Sequence, residues 1–238
     1  MRRSFAAAAL AVAAVLAAGA APAHATNECR GLPVCVRVAG PWVAVQARPS
    51  VPRPRVEFQL SCPRRYVVGG LDAELSDPAI DVTFLGKLGS PVNPGITTSR
   101  AAVFVATYAG RAATAPTFRP HIGCVPSAGG GSGPVPYRAG GVAAPPLPAT
   151  IRRVTMLRVR PGSTQRAVRA CAAGERLVRG ASAVGFYTSR APSPALVAAV
   201  RARLELRVDR VAATVRSTGA LRGVRAVVQV AAVCGGGR

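Results

Sequence analysis

Six cysteines, Cys29, Cys35, Cys62, Cys124, Cys171 and Cys234, restrict the folds open to this chain more than any other feature. All of them follow a leader built for export. Met1, Arg2 and Arg3 give a positive start, Phe5 to Ala18 form an unbroken apolar run, and Gly19 and Pro22 end it. Ala23-His24-Ala25 then offers small residues at the two positions that signal peptidase reads. Residues 1–25 are therefore expected to be removed as a signal peptide. An apolar run of about 14 residues is too short for a bilayer-spanning helix, which needs roughly 20. No later stretch is longer, so the mature chain is expected to be secreted or held at the cell wall, without a transmembrane anchor. An even cysteine count in an oxidising compartment implies disulfides, with about 15 pairings open in principle. Metal binding would want CxxC spacing or neighbouring histidines. Neither occurs, so no metal and no other cofactor is expected.

The cysteines also carry a repeat. Cys62-Pro63-Arg64-Arg65-Tyr66-Val67-Val68-Gly69-Gly70 precedes Cys124, and Cys171-Ala172-Ala173-Gly174-Glu175-Arg176-Leu177-Val178-Arg179-Gly180 precedes Cys234. Gly70 and Cys124 stand 54 positions apart, as do Gly180 and Cys234. Each closing cysteine ends an alternating segment: Phe118, Pro120 and Ile122 in one, Val228, Val230 and Ala232 in the other. A duplicated domain with one internal bridge each, Cys62–Cys124 and Cys171–Cys234, accounts for this, and leaves Cys29 and Cys35 for each other. Between the halves lies a segment with Gly129-Gly130-Gly131-Ser132-Gly133 followed by Pro134, Pro136, Pro145, Pro146 and Pro148, a composition that is flexible and then extended. The expected division is a signal peptide over 1–25, a first β-domain over 26–125, a linker over 126–149 and a second β-domain over 150–238.

Both halves pattern as β. Val200, Ala202, Leu204, Leu206 and Val208 alternate with Arg201, Arg203, Glu205, Arg207 and Asp209, the period of a strand with one wet face. The phase shifts near Asp209-Arg210, which predicts a bulge or tight turn. Val224 to Cys234 alternates with apolar residues on both faces, as in a central strand. Ile80 to Leu85, Ala101 to Tyr108 and Pro116 to Cys124 behave similarly, with loops such as Gly89–Gly95 between them. Many short strands with Gly/Pro turns and disulfides predict an all-β fold of two tandem, disulfide-stapled β-sandwich-like domains. The Cys-Pro opening, the Gly-Gly and a second Cys some 60 residues on resemble a motif of uncharacterised secreted proteins of high-GC Gram-positive bacteria. Cys62, Pro63, Gly69, Gly70 and Cys124 fit it; Ala172 and Arg179 depart from it in the second half. The resemblance implies no activity.

Catalytic constellations are sparse. With His24 in the leader, His121 is the one remaining histidine; it alternates out of phase with Phe118, Ile122 and Cys124, so it is expected to face outward, and no G-x-S-x-G elbow accompanies it. Asp72, Glu74, Asp77 and Asp81 cluster and would serve an extracellular hydrolase that needs paired carboxylates, but few aromatic platforms flank them. Their spacing lacks the EF-hand pattern for Ca²⁺. Gly69-Gly70 and the Gly129 run lead to no Gly-Lys-Ser/Thr.

What remains is charge. The chain carries a formal +22. Residues 150–238 hold seventeen arginines against Glu175, Glu205 and Asp209, whereas residues 26–125 hold ten arginines and Lys87 against six acids. Arginine in place of lysine is what a high-GC genome produces without selection, yet the asymmetry has consequences. It predicts adhesion of the second half to anionic surfaces, such as wall polymers, acidic lipids or free nucleic acid. Arg201, Arg203 and Arg207 are expected on one strand face and Arg158 and Arg160 on another, each pair two apart lying about 7 Å along the strand. Rows of that kind follow a polyanion by charge alone, weakly and in a salt-dependent way. No aromatic interleaving marks specific nucleic-acid recognition. The expected function is a secreted, non-catalytic binding or structural protein of the envelope or extracellular space; the alternative is the hydrolase built on the acids of the first half.

Overall fold

The computed structural model describes residues 26–47, 54–85, 100–127 and 150–236. The leader, the Gly89–Gly95 loop and residues 128–149 of the expected linker lie outside the described residues. Strands dominate, as the two-residue periodicity predicts. The first half contains β1 (Val36–Ala39), β2 (Trp42–Ala44), β3 (Val56–Ser61), β4 (Tyr66–Leu75), β5 (Ile80–Leu85), β6 (Ala101–Tyr108) and β7 (Thr117–Pro126). The second contains β8 (Thr150–Val159), β9 (Thr164–Ala170), β10 (Arg176–Tyr187), β11 (Val200–Leu206), β12 (Arg210–Ser217) and β13 (Arg225–Gly235). The predicted break at Asp209-Arg210 is the tight turn between β11 and β12, where Arg207 N–H donates to the Arg210 carbonyl. One short helix was not expected: α1 (Pro194–Ala198), where the Ser193 side chain caps the Leu196 N–H and a proline occupies the first turn.

Each half is a two-layer all-β sandwich with a disulfide through its core. In the first, β3-β6-β5 form one sheet and β4 pairs β7 in the other; in the second, β9-β12-β11 and β10 with β13 take the same places. The aromatic side chains Phe58, Phe104 and Phe118 fill the first core. Val211, Val215, Val228, Val230 and Phe186 fill the second. Burying each large apolar side chain contributes about 1.5–3 kcal/mol. The expected bridges Cys62–Cys124, Cys171–Cys234 and Cys29–Cys35 are all present.

Both long strand pairs carry a bulge at the same place. Gly69 is skipped between Val68 and Gly70 on β4, and Val178 between Leu177 and Arg179 on β10. The pairing corrects one detail of the sequence alignment. Gly70 lies opposite Gly123, the residue before Cys124, and the residue opposite Val233, before Cys234, is Arg179 rather than Gly180.

The halves are not connected by chain alone. Strand β2 pairs β7 on one side and the Gly185–Phe186 end of β10 on the other, so a single seven-stranded antiparallel sheet runs through both. Strand β3 then lies over the far face of the second half's sheet. There the Gln59 N–H donates to Gln229 Oε1 at 2.6 Å, and Gln229 Nε2 donates back to the Gln59 carbonyl at 2.9 Å. Beside this pair the buried Glu57 carboxylate holds Arg152 at 2.5 Å and Arg179 at 3.1 Å. Strand β13 is therefore buried on both faces, as its doubly apolar pattern predicts.

In the first half the Cys29–Cys35 loop lies on the corresponding face, and His121 faces outward there without being solvent-exposed. The imidazole does point away from the main core, as the alternation requires. It is nevertheless only 6% exposed, with Nε2 2.9 Å from Glu74 Oε1. The period-two pattern identifies the face correctly; tertiary packing removes the water from it.

Candidate anion-binding cleft

A cleft of about 810 Å³ opens at the end of β8, walled by Leu157 to Pro161, Gln165, Leu221 and Gly223 to Arg225. Its floor is apolar, because Leu157, Val159 and Leu221 belong to or pack against the second core. Arg158, Arg160 and Arg225 are also among its lining residues, and no acidic residue is.

Local hydrogen bonding fixes that lining. Gln165 Oε1 accepts the Arg160 N–H at 2.8 Å, while its Nε2 donates to the Arg158 carbonyl at 3.3 Å. The Ser163 hydroxyl donates to the Arg160 carbonyl at 2.7 Å, and the Ser217 hydroxyl reaches the same oxygen at 2.5 Å. Gly162, at φ +63°, supplies the left-handed residue of the turn, and a Cβ there would meet open space. On the facing wall, Thr218 caps the 3₁₀ turn Gly219–Leu221, and Gly223 at φ +79° returns the chain into β13. Arg225 begins that strand and lies over the Tyr187 ring, 4.3 Å from its centre, a cation–π contact that orients the guanidinium. Among the described residues, no acidic side chain pairs with Arg158, Arg160 or Arg225.

The expected arginine rows are thus divided. Arg158 and Arg160 come to the cleft with Arg225, which sequence reasoning missed; only the β8–β13 register, with Ala226 opposite Val159, brings that residue into place. Arg201 and Arg203 do share a face of β11, but on the other sheet of the sandwich. Arg216 faces Arg201 across β12, and Glu205 interrupts the row by pairing with Arg166 at 3.5 Å. Arg207 does not continue the row: β11 ends at Leu206, and Arg207 lies in the turn. The carboxylate nearest in sequence, Asp209, is taken by Arg210 through two contacts of 2.9 Å, which hold its pKa below the ordinary value.

The acids of the first half are used as acceptors within the fold. Asp72 accepts the Asn27 N–H at 2.6 Å and the Ala73 N–H at 2.7 Å. Glu74 faces His121 and Arg119. Asp77 accepts the Ala79 N–H and the Tyr108 hydroxyl, each at 2.8 Å, and this carboxylate contact raises the tyrosine pKa. Asp81 lies on β5, in the other sheet from Asp72 and Glu74. Cys171, Glu175 and Cys234 place their ligand atoms within 4.8 Å of one another. Both sulfurs are already joined in a disulfide, however, and the carboxylate is held by the Ala172 N–H and by Arg153, which lower its pKa. No helix among the described residues is long and apolar enough to cross a membrane. Compared with known proteins, the chain matches no family model, no curated protein and no solved structure.

Proposed function

We propose that this is an exported, non-catalytic binding protein of the envelope or extracellular space, and that its second half holds polyanions in the Arg158/Arg160/Arg225 cleft. The observation that carries this reading is the composition of that cleft: three arginines and no acidic residue among those that line it, over an apolar floor. Unpaired cations gathered at a concavity attract a chain of phosphates or sulfates by charge, with little dependence on its sequence. The three disulfides support export. The shared strand order, bulge and bridge support origin of the two halves by duplication of one unit.

Binding of the full chain to long-chain polyphosphate, a soluble stand-in for anionic wall polymers, tests the reading. Replacing Arg158, Arg160 and Arg225 together by Ser should weaken binding at least tenfold. It should also flatten the dependence of log affinity on log salt by about two to three, since each neutralised phosphate contributes roughly 0.7–0.9. Replacing Arg201, Arg203 and Arg207 by Ser removes the same charge elsewhere and should cost less. Equal losses from the two triple variants would show net charge at work and remove the cleft from the account.

A further inference from the structure

The row of residues just before each bridge cysteine is covered in both halves, by two unrelated segments. In the second half the row is Arg152, Val233 and Arg179, side by side on β8, β13 and β10. In the first it is Arg37, Gly123 and Gly70, on β1, β7 and β4. Both rows face away from their cores, because Cys234 and Cys124, the next residues, face inward. On the second row sits Glu57 from β3, 4% exposed and bound to Arg152 and Arg179. On the first sits Glu28 from the Cys29–Cys35 loop, 2% exposed, with Oε1 3.7 Å from Arg37 Nε. Arg37 and Arg152 hold the same register position, and each receives a buried glutamate. The loop presses so closely that a Cβ on either Gly70 or Gly123 would collide with the Glu28 carbonyl.

We propose that the Cys29–Cys35 loop is an end cap: it fills on the first half the seat that β3 fills on the second, and so prevents a second copy of this chain from docking there head to tail. The internal joint between the halves defines how such docking would run. It joins the β2 edge of one unit to the β10 edge of the next, and repeating it would join β8 of one chain to β4 of another. Those two strands end the seven-stranded sheet and pair no further strand among the described residues. Trp42, opposite Phe186 at the internal joint, is 5% exposed. Met156, its counterpart one residue before Leu157 on β8, is 47% exposed. Strand β9 carries Arg166 where β3 carries Glu57, each five residues before the opening cysteine, so a docked copy would bring Arg166 toward Arg37, and the strand edges rather than charge carry the contact. Uncapping would also free Asp72, now bonded to Asn27 of the capping segment, on the same face of β4. A head-to-tail contact of this kind is heterologous and builds a ring or an open filament as concentration rises.

Sedimentation velocity on the full chain lacking residues 26–35 tests this. The intact chain should keep a monomer mass across a hundredfold range of concentration. The uncapped chain should at least double its weight-average mass at the upper end. Met156→Lys in the uncapped background should restore the monomer, because a charged side chain on an edge strand blocks pairing. An uncapped chain that stays monomeric with both long bridges intact and its strand circular dichroism retained overturns the proposal. So does association that Met156→Lys leaves unchanged, which would be non-specific adhesion of the bared face. Should the deletion fail to fold, Glu28→Lys in the full-length chain ejects the cap by placing an ammonium against Arg37, and the same outcomes decide.

Discussion

The two halves bury the same row of their sheets by different means, and the difference lies in where the cover comes from. The second half borrows a strand of the first, held by a carboxylate between two arginines and by the reciprocal Gln59–Gln229 pair. The first half is covered by its own N-terminal segment, drawn into a tight loop by Cys29–Cys35 and held by one long ion pair and by the Asn27 N–H on Asp72. Arg152 is 14% exposed and Arg37 62%. The same pairing therefore sits in a dry joint in one place and at the water's edge in the other. A sheet needs its second face covered, and the same topology accepts either solution.

The largest test of equivalence concerns the bridges. Cys62–Cys124 and Cys171–Cys234 span 62 and 63 positions, so the chain-entropy model assigns each about 4 kcal/mol. Replacing each pair by alanine should lower the denaturation free energy by nearly equal amounts, read from urea midpoints under non-reducing conditions. A gap above about 1 kcal/mol would mean that the halves are alike in topology but not in the chain they restrain.

The glutamates should separate the halves. Glu57→Gln strands Arg152 in a joint that excludes water, and is expected to cost about 3 kcal/mol, in line with other broken buried pairs. Glu28→Gln should cost under about 1 kcal/mol, because Arg37 remains solvated. Glu28 Oε2 already lacks a partner among the described residues, so losing that charge relieves part of its burial. Thermal melts of the two variants at one pH measure the contrast. Equal costs would place both pairs in the same environment and refute the distinction drawn from exposure.

Much of this architecture is legible in residue order. The alternation of Val200–Asp209, the doubly apolar Val224–Cys234 and the two long cysteine spans determine the strands, the central position of β13 and the bridges. All three signals act locally or through one covalent constraint. The functional features depend on register instead. Arg225 joins the cleft because its neighbour Ala226 lies opposite Val159, and Glu57 becomes a joint because β3 crosses a sheet formed by residues more than ninety positions away. His121 faces where its periodicity says, yet it is buried, with Glu74 of β4 beside it. Helix α1 escapes a search for period two because its five residues are too few to establish any period. The glycines misled by one position: both long strands bulge at the same place, but the Cys171–Cys234 span is one residue longer than Cys62–Cys124, so equal spacing to the closing cysteine does not mean equal place in the sheet.

The smallest predicted effect lies in the turns that follow the opening cysteines. Tyr66 N–H donates to the Pro63 carbonyl at 3.2 Å, and Glu175 N–H to the Ala172 carbonyl at 3.1 Å, closing the same turn in each half. Its third residue after the cysteine is left-handed in both, Arg65 at φ +67° and Gly174 at φ +81°. An L-residue in that conformation costs roughly 1–2 kcal/mol, part of which glycine's larger entropy in the unfolded chain offsets. Arg65→Gly should therefore gain up to about 0.5–1 kcal/mol, and Gly174→Arg should lose a similar amount. A Cβ on Gly174 would meet open space, so the loss arises in the backbone alone rather than from a clash. Both variants should shift the urea midpoint with an unchanged slope, in opposite directions. If both shift it the same way, side-chain contacts outweigh backbone conformation in one turn, and the halves part company at the one place where their backbones agree best.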